Sequence, residues 1–135
     1  MDQASLSDEE ICQRRVVELL DRAIALLDAG DARAAAEIFR CVIKIDDRNI
    51  EAHHGLARAL RDAGQHEAAI AAALALTVLT PADPLAHTGL SIALQQAGHI
   101  PQAEAAAARA RILEWKQQLA ESPVNDPGGE QNGLC

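Results

Sequence analysis

Apolar residues in this chain recur at intervals of three and four. Leu56, Ala57 and Leu60 stand at i, i+1 and i+4, and Ala69, Ala73 and Leu76 at i, i+4 and i+7. A helix completes a turn in about 3.6 residues, so each set shares one helical face, whereas a half-buried strand would alternate with a period of two. Local punctuation agrees. Ser7-Asp-Glu-Glu10 has the form of a capping box, which predicts a first helix from about Asp8 to Ala29. Thr80-Pro81 cannot continue a helix, and Asp83-Pro84 places a capping carboxylate ahead of a first-turn proline.

The pattern repeats. Gly30, Gly64 and Gly98 follow one another at intervals of 34 residues, inside the related stretches Leu26-Leu-Asp-Ala-Gly30, Leu60-Arg-Asp-Ala-Gly64 and Leu94-Gln-Gln-Ala-Gly98. Ala35, Ala69 and Ala103 lie five residues behind those glycines, Leu56 matches Leu90, and His53 matches His87. Each unit therefore reads as two helices joined by a tight turn, with glycine serving as a left-handed C-cap. The units are predicted at about 16–49, 50–83 and 84–117, within a single domain over 8–120. Residues 1–7 are expected to be a flexible leader. The polar stretch 121–135, poor in anything to bury, is expected to be a disordered tail.

With these positions in hand the chain resembles the tetratricopeptide repeat family, whose unit is a 34-residue helix-turn-helix. The family's small residue at position 8 corresponds to Ala23, Ala57 and Ser91, its position 20 alanine to Ala35, Ala69 and Ala103, and its position 32 proline to Pro81. Two departures stand out. The bulky position 24 is Phe39 in the first unit but Ala73 and Ala107 afterwards, and the aromatic at position 4 is Leu19, His53 and His87. Thinner packing is expected in the second and third units. The resemblance implies an all-α solenoid of three repeats, here with an extended first helix. The last helix, continuing through Glu114-Trp-Lys-Gln-Gln-Leu-Ala120, is expected to cap the stack, with Ile112 and Trp115 covering its end.

Composition narrows the function. A net charge of −8 repels phosphate backbones, and one Phe, one Trp and no Tyr leave no platform for stacking bases. Nucleic acid is not an expected partner. Without a basic leader or a long apolar run, neither a signal peptide nor a membrane span is read, and a cytoplasmic protein is expected. Cys12, Cys41 and Cys135 form no CxxC pair; Cys12 and Cys41 are read as buried or half-buried small residues. The five histidines stand in no HxxxH or HExxH pattern, the serines in no GxSxG elbow, and the paired glycines Gly128-Gly129 near no lysine. No metal, no cofactor and no enzymatic activity are expected. His53 and His87 read instead as packed residues in place of aromatics, and His66 and His99 as solvated or capping residues beside the turns.

What remains is surface. In the family, positions 2, 5, 9, 12 and 13 of each first helix line a concave groove. The resemblance assigns Val17, Leu20, Ile24, Leu27 and Asp28 in the first unit, and Glu51, His54, Arg58, Arg61 and Asp62 in the second. In the third it assigns Leu85, Thr88, Ile92, Gln95 and Gln96. Helical geometry agrees, since His54, Arg58 and Arg61 fall at i, i+4 and i+7. An apolar wall thus adjoins a basic centre, although Arg58 could simply pair with Asp62 and the apolar stripe could be core. Gly55 and Gly89, inside helices, point to close approach of a ligand or of another helix. Some family members hold acidic chaperone tails in a carboxylate clamp, but the matching positions here are Leu20, Ile24, Gly55, Leu85 and Gly89, which excludes that activity. The expectation is an adaptor or small chaperone binding a peptide or helical segment of another protein, including one with acidic groups. The alternative is a self-assembly module, a homo-oligomer formed through the repeat face.

Overall fold

The computed structural model describes residues 7–121, folded into six helices: α1 (Asp8–Asp28), α2 (Ala32–Ile45), α3 (Ile50–Asp62), α4 (His66–Leu79), α5 (Pro84–Gln96) and α6 (Ile100–Glu121). Four of their starts carry a side-chain cap, whereas Gln65, ahead of α4, supplies none. The Ser7 hydroxyl accepts from the Glu10 amide while Glu10 accepts from the Ser7 amide, and the side chains of Asp31, Asn49 and Asp83 cap α2, α3 and α5.

The three turns are copies of one another. Gly30, Gly64 and Gly98 adopt φ of 88°, 78° and 88°. Behind each, the next amide reaches back into the preceding helix: Asp31 N to Leu26 O at 2.8 Å, Gln65 N to Leu60 O at 2.9 Å, His99 N to Leu94 O at 2.9 Å. This double-bonded C-cap closes the helix and reverses the chain, and glycine accepts the left-handed backbone without a Cβ penalty.

Each helix packs on the next, and α1 also meets α3 and α3 meets α5; no such contact joins α2 to α4 or α4 to α6. A stack that is tighter along its first helices curves toward them, so α1, α3 and α5 line the inner face. The core is built mainly of alanines that let helices approach closely, with Phe39, Val42, Leu60 and Leu76 as its largest fully buried side chains. All four belong to the first two units. In the third, the buried set is Pro84, Ala86, His87, Ala93, Ala103, Ala106 and Ala110.

Several expectations need correction. Cys12 and Cys41 are exposed. The first eight residues of α1 overhang the repeat with none of the described residues laid over them, and Cys41 shares the solvent side of α2 with Glu37 and Lys44. Nor do Ile112 and Trp115 cover the end of the stack, being 52% and 61% exposed. They point away from the side of α6 on which Ala103, Ala106 and Ala110 pack, so the helix runs past α5 instead of folding over it. Helix α1 ends at Asp28, and Glu121 closes α6 where a tail was expected to begin. The expected flexible leader, apart from Ser7, and the expected disordered tail lie outside the described residues.

Candidate functional site

Where α1 and α3 run side by side on the inner face, they leave a hollow of about 340 Å³. Leu20, Ile24 and Leu27 form its α1 wall, Glu51, His54, Arg58 and Arg61 its α3 wall, and Phe39 and Gly55 lie beneath. Seven of the groove residues expected from the sequence are thus brought together. The apolar stripe divides between two roles: Leu20 is 7% exposed and belongs to the core, Leu27 is half-buried, and Val17 and Ile24 stay 56% and 49% exposed. In the third unit, Leu85 (65% exposed), Thr88, Ile92 and Gln95 sit on α5 and do not line this hollow.

The floor was not foreseen. A Cβ built at Gly55 would collide with the edge of the Phe39 ring, so this glycine admits an aromatic from α2. At the repeat-equivalent Gly89 nothing stands within 4 Å, because the residue in Phe39's place is Ala73. The glycine inside a helix was the available signal; which neighbour it served depended on the packing of a different helix.

Charge in the hollow comes from α3. Arg58 Nε lies 3.8 Å from Asp62 Oδ2, with both side chains about half exposed, a pair that contributes little in water and leaves the guanidinium free to turn. Arg61 is half-buried, and its Nε is enclosed without a hydrogen-bond partner among the described residues. Burial lowers its pKa from the ordinary arginine value, with Asp62 opposing and Arg58 adding to the effect. A guanidinium already stripped of part of its water binds a carboxylate at less desolvation cost than an exposed one.

A second hollow, about 540 Å³, opens beneath the overhang of α1 and shares Leu20 and Glu51 with the first. Val16, Val17 and Ile45 supply its apolar surface, and Glu9, Asp46 and Glu51 its charge. Repeat arithmetic missed it, because Glu9 precedes the first unit and Ile45 and Asp46 close α2, outside the groove positions.

The repeat-matched histidines are structural. His53 and His87 are buried, and their Nε2 atoms lie 2.9 Å and 2.8 Å from the carbonyls of Asp47 and Pro81, pinning each linker between units to the helix that follows it. His99 Nε2 is 3.5 Å from Glu67, and His66 Nδ1 is enclosed without a partner. Among the described residues no three His, Cys, Asp or Glu side chains gather as metal ligands, and no helix is long and apolar enough to cross a membrane.

Residues 26–88 match the family model described as tetratricopeptide repeat. No curated protein matches the chain significantly by sequence. Among solved structures, the type III secretion translocator chaperone SycD of Yersinia enterocolitica is similar with a TM-score of 0.71 at 20% identity, over 90% of this chain and 83% of that one. SycD in complex with a peptide of the translocator YopD gives 0.70 at 20%, over 79% and 86%. The second repeat domain of Spaghetti (RPAP3), bound to the HSP90 peptide SRMEEVD, gives 0.69 at 19%, over 77% and 98%. At such identities the likeness is one of fold.

Proposed function

The chain belongs to the tetratricopeptide repeat family, and from that premise we propose that it is a protein-binding adaptor or small chaperone without catalytic activity of its own. Its inner groove would take a peptide or helical segment of another protein. The observation that carries the reading is the hollow between α1 and α3, where the exposed face of Ile24 looks across at Arg58 and the partly desolvated Arg61. An apolar side chain of the partner would rest on Ile24 and Leu27, and a carboxylate beside it on the two arginines. The similarity to SycD, solved with a translocator peptide, supports a groove of this kind. The chain lacks donors at the carboxylate-clamp positions Leu20, Ile24, Gly55, Leu85 and Gly89, so its ligand differs from a chaperone tail such as the one bound to Spaghetti.

Reversing Arg58 and Arg61 to Glu tests the proposal. Affinity for a partner isolated with the wild-type protein should fall at least tenfold, and Arg58→Glu alone, at the more exposed position, should weaken binding while helical circular dichroism stays unchanged. Equal affinity would remove the arginines from the site. The second reading, self-assembly, draws on the outer face of α6, where Ile112, Trp115 and Leu119 form an exposed stripe. On the same helix Arg109, Arg111 and Lys116 are matched in number by Glu104, Glu114 and Glu121, so charge neither favours nor opposes pairing of two copies there. Light scattering separates the two readings: a monomer at micromolar concentration excludes the second.

A further inference from the structure

We infer that the inner groove is bipolar and selects a segment carrying a basic side chain at one end, apolar residues between, and an acidic side chain at the other. The inference rests on the groove reading above and adds the second charge.

The two hollows adjoin, sharing Leu20 and Glu51, and follow one another along α1 and α3. Its apolar surface is continuous: Val16, Val17, Leu20, Ile24 and Leu27 recur along α1, with Ile45 added from the end of α2. Its charge is not uniform. Under the α1 overhang, the charged residues of the lining are Glu9, Asp46 and Glu51, and no Lys, Arg or His joins them. In the other hollow stand Arg58 and Arg61 with His54, and Glu51 at the junction lines both. Asp46 spends one carboxylate oxygen on the Arg48 amide, at 3.2 Å, while Glu9 and Glu51 are exposed and held in no ion pair among the described residues.

Charge complementarity then names the occupant. A cationic side chain lowers the mutual repulsion of three carboxylates around an apolar hollow, and a carboxylate does the same for the arginine pair. A given segment laid in the opposite sense would put like charges together at both ends, so the gradient fixes which of its ends lies at the arginines. Spacing follows from helix geometry. Glu51, at the junction, and Arg61 are ten residues apart on α3, about 15 Å at 1.5 Å per residue, which is the least distance between the two charges of an occupant. An extended chain covers that distance in roughly four or five residues.

Selection from a displayed library of random dodecapeptides on the immobilised protein is the test. The inference expects enriched sequences with Lys or Arg roughly four to six residues from Asp or Glu and apolar residues between. The variant Glu9→Lys with Glu51→Lys, its fold checked by circular dichroism, should lose the basic preference at least tenfold and keep the acidic one. Enrichment that favours acidic residues and is abolished by Arg58→Glu with Arg61→Glu, but shows no basic preference, would overturn the bipolar inference and leave the groove reading standing. Failure to enrich any sequence, or enrichment indifferent to both pairs of substitutions, would overturn both.

Discussion

One aromatic ring decides what can stand at position 55. Gly55→Ala would drive a methyl into Phe39, and overpacking of this kind costs about 1–3 kcal/mol. Gly89→Ala meets open space in the same repeat position, so relief of helical glycine should stabilise by about 0.5–1 kcal/mol. Urea titration of the two variants should give midpoints displaced in opposite directions; shifts of the same sign would mean that the Phe39 contact does not constrain α3. A similar division runs through the apolar stripe. Leu20→Glu puts a charge into the core and should destabilise by several kcal/mol, whereas Ile24→Glu, half exposed, should cost about 1 kcal/mol or less and act on binding instead. An unfolded Ile24→Glu variant would move Ile24 from the binding face to the core. At this scale the chain was partly legible. Repeat position alone placed His53 and His87 inside, yet their bonds to the Asp47 and Pro81 carbonyls depend on how each linker folds back, and no spacing rule contains that.

Elements were the most readable level, because helix ends are decided by residues close in sequence. The box at Ser7–Glu10, the caps at Asp31, Asn49 and Asp83, and the three glycine turns each rest on neighbours within about five positions. What the two ends of the stack do rests on other elements, and there the reading failed. Trp115 and Ile112 carry the composition of a cap but lie on the wrong side of α6 to act as one. The distal end of α6 therefore gains little from tertiary contact: every residue from Glu114 to Glu121 is exposed. Ending the chain after Leu113 should lower stability by less than about 1 kcal/mol, since only local helix is lost, and a thermal melt would read it. A larger fall would mean that Trp115, or the segment beyond Glu121, docks against the body of the stack.

At the scale of the whole molecule, stability is expected to be unevenly distributed along the stack. In a solenoid each unit is held by its own core and by its neighbours, so a weak terminal unit can open while the rest stays folded. The first two units enclose Phe39, Val42, Leu60 and Leu76, whereas the third encloses alanines, Pro84 and His87. Burying a large aliphatic or aromatic side chain contributes about 1.5–3 kcal/mol, and an alanine methyl far less. Among the described helices, α6 is also supported by α5 alone, while α3 touches α1, α2, α4 and α5. Amide hydrogen exchange should accordingly be slowest in α2 and α3, around Phe39, Val42 and Leu60. It should quicken through α5 into α6, and be fast again over the α1 overhang. Restoring a ring in the third unit's interface tests the cause. Ala73→Phe would place an aromatic over the open space at Gly89, as Phe39 lies over Gly55, and should slow exchange in α5 more than in α2. Equal protection across all six helices would mean that the stack opens as one unit, and that alanine packing holds the third repeat as firmly as Phe39 holds the first.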